Sequence, residues 1–243
     1  CAVTRHSVMA SIYLIRHRQA SFGSSNYDQL STLGQRQADL TGQFLRDTGL
    51  KIDYAVAGDL SRQQETGARV LASQANAPEL CVDTRFNEID NDEQIKALLP
   101  LLTERDAELK ALVDAGLSSS KDYQKVIDAV FNAWVSPDCP AKNITPWAEY
   151  RDGVQAALKT VMSEAGAGSN AAVFTSGGTI ATAVGLVLGV PADKVYGFYE
   201  PVFNCAITRF IYSSRRVSLS NFNDVAHLNL LGAQLGESLV TYR

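Results

Sequence analysis

Two adjacent basic residues, Arg16 and His17, follow directly after a short apolar run and are the first residues of the chain that could do chemistry. The run, residues 12–15, is typical of a buried strand in a parallel sheet. Ligands of open α/β sheets bind just beyond the carboxyl ends of such strands. Taken alone, an Arg-His pair is equally consistent with a solvated strand end, so its interpretation depends on the other strand ends.

Three further predicted strands also end in residues suited to binding or catalysis. The strands are residues 52–56, 80–82 and 172–175; the residues after them are Arg62 in a loop, Glu88, and the turn Ser176-Gly177-Gly178. That turn opens an apolar helix, and a glycine-rich helix start supplies backbone N–H groups and the positive end of a helix dipole. Because parallel strands end at one edge of the sheet, we expect these residues to meet there.

Together these groups predict phosphoryl transfer. Arg16, Arg62 and the helix start at Ser176 could hold a dianionic tetrahedral group. Two fixed positive charges beside His17 favour its neutral, nucleophilic form. The carboxylic acid of Glu88 could protonate a leaving alkoxide. This chemistry implies no metal and no cofactor.

Composition bounds the alternatives. The 243 residues are 46% hydrophobic and 20% charged, enough for one sizeable core. The net charge of −4 argues against nucleic acid or an anionic membrane as a partner. No apolar run approaches the ~20 residues of a membrane span. The cysteines are scattered without metal-ligand spacing, which indicates reduced thiols and predicts a cytoplasmic protein.

The order of predicted elements indicates an α/β fold, a three-layer αβα sandwich around a mostly parallel sheet. We expect a single domain over residues 9–243. Residues 90–150 are helical, rich in charge and broken by prolines, which predicts a helical insertion over the strand ends that acts as a lid. Residues 1–8 carry no pattern and are interpreted as a disordered or added extension.

The same residues lie in motifs that resemble those of the histidine phosphatase superfamily, the phosphoglycerate mutase-like fold. In chain order the matching segments are Arg16-His-Arg-Gln19 (R-H-G-[EQ]), Leu30-Ser-Thr-Leu-Gly-Gln-Arg-Gln-Ala38 (L-T-x-x-G-x-x-Q-A), Leu60-Ser-Arg-Gln-Gln-Glu-Thr66 (L-x-R-x-x-x-T), Thr175-Ser-Gly-Gly-Thr-Ile180 (S-H-G-G-x-I) and Asn223-Asp-Val-Ala-His-Leu228 (N-x-x-x-H-L). Glu88 falls where the superfamily places its proton donor. The resemblance covers nearly the whole chain.

The resemblance implies a two-step mechanism. His17 attacks phosphorus to form a phosphohistidine while Glu88 protonates the leaving oxygen; the same carboxylate then helps water to hydrolyse the phosphoenzyme. Arg16 and Arg62 hold the equatorial oxygens. Ser21, in the loop after His17, is a further candidate phosphate contact.

Two residues depart from the superfamily pattern. Ser176 stands where a second histidine is expected, and replacing that charge could cost on the order of 10²-fold in rate. The N–H groups of Gly177 and Gly178 would remain as phosphate donors. Arg18 replaces the glycine after the nucleophile, and either adds a third cation to the phosphate site or blocks it.

Several alternatives stay open. Arg62 could be a solvated residue at a helix start, and Ser176 could serve only as a helix N-cap. Asp90, Asp92 and Glu93 crowd the loop of Glu88 and compete with it as the proton donor. His227 is assigned to packing.

Three functions follow from the motifs. The first is a metal-independent phosphatase for a small phosphate ester, the second a mutase, and the third a non-catalytic protein that binds a phosphorylated ligand. The apolar hairpin that includes residues 206–212 could pair across the edge of a homodimer.

Overall fold

The computed structural model describes residues 9–17, 31–117 and 119–242. The strands are β1 (Ala10–Arg16), β2 (Tyr54–Ala57), β3 (Leu80–Val82), β4 (Asn170–Thr175), β5 (Ile207–Tyr212) and β6 (Val217–Asp224). The helices are α1 (Thr32–Asp47), α2 (Ser61–Leu71), α3 (Asn91–Thr103), α4 (Ala107–Asp114), α5 (Ser120–Val135), α6 (Trp147–Ala165), α7 (Gly177–Leu188), α8 (Tyr196–Tyr199) and α9 (Ala226–Leu235). Residues 1–8, Arg18 and Ser21 lie outside the described residues, so the predictions made for them stay predictions.

The six strands form one sheet in the order β3-β2-β4-β1-β5-β6. β3, β2, β4 and β1 are parallel to one another, while β5 and β6 are antiparallel to their neighbours. The predicted mostly parallel sheet is therefore confirmed. Its parallel strands end at the same edge, which brings the segments after β1, β2, β3 and β4 together.

Alternation along the strands divides the core into two layers. On one face Leu14 and its neighbours pack against Val154 of α6 and Ile180 of α7. On the other face Ile15 packs against Leu45 of α1 and apolar residues of α2. Because successive strand residues point to opposite faces, one buried strand supplies both layers. The predicted three-layer sandwich is confirmed.

A third apolar cluster lies in the predicted insertion. α3, α4 and α5 fall within residues 90–150, and Phe131 and Trp134 of α5 are almost fully buried there. This cluster joins Ala181 of α7 and Tyr196 of α8. The insertion thus packs on the helix that begins at Gly177. Its role as a lid stays a prediction.

Two local features differ from or extend the expectations. Arg62 was expected in a loop, but α2 begins at Ser61 and so places Arg62 in its first turn. The C-terminal segment packs against α1, where Gln37 Nε2 donates to Leu239 O and Thr241 Oγ1, both at 2.8 Å. None of the helices among the described residues combines the length and the hydropathy needed to cross a membrane.

Candidate active site

His17 lies directly beyond β1 and is almost completely buried, with 7% of its surface exposed. Its backbone N–H donates to Thr175 O at the end of β4, at 2.7 Å. Arg62 Nε donates to His17 Nε2 at 3.3 Å. Because a guanidinium can only donate, Nε2 accepts, and the neutral imidazole then carries its proton on Nδ1. The structure thus brings the predicted nucleophile and one predicted phosphate ligand into contact.

Arg16, the last residue of β1, is held by two backbone carbonyl groups. Its Nη1 donates to Val202 O and, at 3.2 Å, to Tyr242 O near the C-terminus. A methyl group built on Gly177 would lie 3.7 Å from Arg16 Nε and 3.2 Å from Tyr199 Cε2. The Arg16 guanidinium is therefore fixed beside the start of α7, as the anion site requires.

The Glu88 carboxyl lies against the first turn of α7. Its Oε1 accepts from the N–H groups of Ile89 and Gly178, both at 3.0 Å. Two N–H donors on Oε1 leave Oε2 to carry the proton of the neutral acid. This contact corrects one expectation, since the Gly178 N–H was assigned to phosphate and instead holds Glu88.

Burial raises the pKa of Glu88 above its ordinary value. The positive charges of Arg16 and Arg62 and the two backbone N–H donors lower it, but they do not cancel the effect of burial. A raised pKa increases the fraction of protonated carboxyl near neutral pH, which a proton donor needs.

The competing carboxylates have other surroundings. Asp90 caps α3, where its Oδ1 accepts from Glu93 N at 2.9 Å. Asp92 and Glu93 are exposed in the first turn of the same helix. Of these four acidic residues, Glu88 is the one whose carboxyl meets the glycine turn.

Ser176 is the N-cap residue of α7, yet its side chain makes no cap hydrogen bond. The residue is fully buried, and its hydroxyl oxygen accepts from Gln63 Nε2 at 2.7 Å. Gln63 Nε2 also donates to Phe86 O at 3.1 Å. The hydroxyl is thus held inside the protein by α2, and its contact with a phosphoryl oxygen stays a prediction.

Sequence reasoning missed several residues that build the site. Tyr150 donates to Asn87 O at 3.1 Å and lies 2.9 Å from Thr179 Oγ1. Tyr199 accepts from Asn91 Nδ2 at 2.7 Å, and burial followed by the charge of Glu88 raises the pKa of both tyrosines. Thr179 lies at the unspecified position of the S-H-G-G-x-I element, and nothing in the sequence marks either tyrosine.

His227, by contrast, contacts residues of α1. Its Nε2 lies 3.0 Å from Thr41 Oγ1, its ring stacks on Phe44 with centroids 4.9 Å apart, and 3% of its surface is exposed. Burial lowers its pKa to about 4. The assignment of His227 to packing agrees with these contacts.

The next feature is the set of side chains that could ligate a metal ion. Across residues 9–17, 31–117 and 119–242, no group of three or more His, Cys, Asp or Glu side chains could hold a metal ion. Cys81, Cys139 and Cys205 form no disulfide with one another.

Parts of the chain are similar to known proteins. The model of the histidine phosphatase superfamily (branch 1) matches residues 12–94. A segment of 65 residues is 43% identical to the mitochondrial serine/threonine-protein phosphatase PGAM5 of Xenopus laevis. That segment is 26% of this chain and spans 22% of the Xenopus protein.

Solved structures show the same fold. A mutant phosphoserine phosphatase from Entamoeba histolytica in complex with phosphoserine superposes with a TM-score of 0.62 at 18% identity, over 90% of this chain and 100% of that one. Phosphoglycerate mutase from Bacillus anthracis gives a TM-score of 0.62 at 18% identity, over 91% and 96%. The family model confirms the resemblance to the histidine phosphatase superfamily over residues 12–94, and the solved structures share the fold across about nine tenths of the chain.

Proposed function

We propose that this chain is a phosphatase that hydrolyses a small phosphomonoester through a phosphohistidine on His17. The contact of Arg62 Nε with His17 Nε2 at 3.3 Å carries the proposal. It combines a nucleophilic nitrogen with a fixed cation that suits a phosphoryl oxygen. The superfamily match and the phosphatases among the similar structures support the same reaction class.

In the first step the Nε2 lone pair of His17 attacks phosphorus and the bond from phosphorus to the ester oxygen breaks. Arg62 turns from Nε2 to the equatorial oxygens, where Arg16 and the Gly177 N–H also bind. Glu88 gives its proton to the departing oxygen, so the product leaves as an alcohol. Arg16 and the Gly177 N–H are oriented before the reaction, which is why they lower the barrier.

In the second step water attacks the phosphohistidine. Glu88, now ionised, takes a proton from that water while the bond from phosphorus to Nε2 breaks. Inorganic phosphate leaves, and both His17 and Glu88 return to their starting protonation states. Ser176, Arg18 and Ser21 are further candidate phosphate contacts.

The test is phosphate release in the presence of a chelator, with wild type and His17→Ala compared on an aryl and an alkyl phosphomonoester. We expect His17→Ala to lower kcat by about 10³-fold or more. Rapid acid-free quenching of the wild type should capture phosphate bound to the protein, and His17→Ala should capture none. Equal rates for the two proteins, with no captured phosphate, would refute the proposal.

A second substrate class is favoured by one observation. The relative that is 43% identical over 65 residues is a serine/threonine-protein phosphatase. A phosphoserine or phosphothreonine peptide is therefore the alternative substrate, attacked by the same His17. A kcat/KM for phosphopeptides well above that for small esters would select it.

Mutase and binding functions give different results in the same experiments. Isomerised product from 3-phosphoglycerate, in place of inorganic phosphate, would indicate a mutase. Tight phosphate binding without turnover would indicate a non-catalytic member. Localisation in the cytoplasm and a homodimer remain predictions.

A further inference from the structure

Asp59 and Asn87 form a reciprocal pair between the segment after β2, which leads into α2 and Arg62, and the segment after β3, which leads to Glu88. Asn87 Nδ2 donates to Asp59 Oδ1 at 2.6 Å, and Asp59 N donates to Asn87 Oδ1 at 2.9 Å. The two residues are 28 positions apart in the chain, so the pair closes a long loop. A bond in each direction fixes both the spacing and the relative orientation of the segments.

The backbone carbonyl groups of both partners accept further hydrogen bonds. Gln64 Nε2 donates to Asp59 O at 2.7 Å, which fixes the first loop to α2. Thr179 Oγ1 and Tyr150 donate to Asn87 O at 2.7 and 3.1 Å, which fixes the second loop to α7 and α6. Asn87 thus joins three elements at the position immediately before Glu88.

The backbone also admits this approach for a specific reason. A Cβ built on Gly58 would lie 2.6 Å from Asn87 Oδ1 and 2.0 Å from Gln63 Oε1. Only a residue without a side chain lets the amide of Asn87 come so close to the loop after β2. The close approach is therefore built into the backbone as well as into the side chains.

We propose that Asp59 and Asn87 are positioning residues, which set the Glu88 carboxyl relative to the Arg62 guanidinium. The inference rests on the phosphatase function proposed above. Neither residue needs to touch the substrate; the pair acts on the proton donor through the backbone of residues 87 and 88. Misplacing a proton donor weakens protonation of the leaving oxygen more than it weakens phosphate binding.

This role predicts a defect that depends on the leaving group. An alkyl phosphate needs the proton from Glu88 because its alkoxide is a poor leaving group, whereas a nitrophenyl phosphate needs it much less. We expect Asn87→Ala and Asp59→Ala to lower kcat about tenfold or more on the alkyl ester but less than about threefold on the aryl ester. KM should stay within about twofold for both esters, because Arg62 and His17 are unaltered.

The decisive test exchanges the two side chains. Asn87→Asp alone places a carboxylate opposite Asp59, and we expect the alkyl-ester kcat to fall further than in Asn87→Ala. Adding Asp59→Asn restores an amide that donates to a carboxylate, with the same net charge, so the double variant should recover most of the wild-type kcat. A matched control is Asn132→Asp, since Asn132 Nδ2 donates to Asp128 Oδ1 at 3.0 Å on the exposed face of α5. That control should leave both kcat values unchanged.

The outcomes separate the two proposals. Equal losses on aryl and alkyl esters, or no recovery in the double variant, would overturn the positioning role while the phosphatase stands. Equal rates for wild type and His17→Ala would overturn the phosphatase instead. In that event the NMR resonance of the Glu88 carboxyl carbon, assigned with Glu88→Gln, decides the positioning role. The resonance should shift in Asn87→Asp and return in the double variant. A resonance that does not move would refute the positioning role.

Discussion

A methyl group at position 178 would act directly on the proton donor. A Cβ built on Gly178 lies 2.5 Å from Glu88 Oε1 and 2.5 Å from Ile89 Cδ1, far inside van der Waals contact. In Gly178→Ala either the carboxyl or the first turn of α7 must therefore move. Either movement breaks the 3.0 Å bond from Gly178 N to Glu88 Oε1.

The size of the effect follows from what is lost. A hydrogen bond to a charged group contributes about 1.5–3 kcal/mol, and general acid catalysis contributes about 10²–10⁴-fold in rate. We therefore expect Gly178→Ala to lower kcat on an alkyl phosphomonoester by about 10²-fold, with a loss of less than about tenfold on an aryl ester. The extra volume should cost about 1–3 kcal/mol of folding free energy, partly offset by the better helix propensity of alanine.

The assay is steady-state kinetics on both esters together with urea unfolding. Gly153→Ala is the matched control, because Gly153 also lies within a helix and the nearest atom to its Cβ position is Arg85 Cγ at 4.0 Å. It should keep both kcat values and stabilise the fold by about 0.5–1 kcal/mol.

Two results would refute this reasoning. If Gly178→Ala retained wild-type kcat on the alkyl ester, contact with the start of α7 would have no bearing on the donor. If it lost the same factor on both esters while remaining folded, the damage would lie in phosphate binding or in His17 rather than in proton transfer.

Three further predictions concern other parts of the molecule. Between pH 6.5 and about 4 the unfolded chain protonates His227 and the folded chain does not. The free energy of unfolding, measured with urea, should therefore fall by about 3 kcal/mol as pH falls through that window, and His227→Gln should lack this part of the pH dependence. Arg62→Ala should lower kcat/KM for phosphate release by about 10²-fold or more. Arg46→Ala, at the exposed end of α1, should leave kcat/KM unchanged. Equal kcat/KM values for the two variants would contradict the role of Arg62. Gln37→Ala removes the donor to Leu239 O and Thr241 Oγ1 and should cost about 1–3 kcal/mol. Amide exchange should accelerate first at Asn204, whose N–H donates to Thr241 O at 3.0 Å; unchanged exchange there would show that Gln37 does not anchor the segment.

The sequence predicted the parts of the molecule that follow from short-range patterns. Apolar runs located β1 and β4, and a glycine-rich start located α7. The residues after the parallel strands converge because topology alone brings those ends together. The sequence alone therefore predicts that Arg16, His17, Arg62 and Glu88 lie at one edge of the sheet.

What the sequence missed depends on side-chain partners distant in the chain. Gln63 Nε2 reaches Ser176 Oγ across 113 positions, and Tyr150 reaches Asn87 O across 63. Such bonds leave no periodic signal, since a buried polar residue looks like any surface residue until its partner is known. The beginning of α2 was also misplaced: Ser61 and Arg62 carry no strong capping signal, and Leu60, the N-cap residue, makes no side-chain cap bond.

The start of α7 is crowded at both glycines, since a Cβ on Gly178 would lie 2.5 Å from Glu88 Oε1 and one on Gly177 would lie 3.2 Å from Tyr199 Cε2. Gly178 N–H binds Glu88 rather than phosphate, and Gly177 lies beside Arg16. In the proposed first step Glu88 loses its proton and becomes negative, so the hydrogen bonds from the N–H groups of Gly178 and Ile89 would strengthen as the charge develops. Burial has the opposite preference, since it favours the neutral acid that must be present before reaction. The site thus combines a raised pKa in the resting state with two donors that stabilise the carboxylate once its proton has left, and this combination can speed proton transfer without a second histidine at position 176.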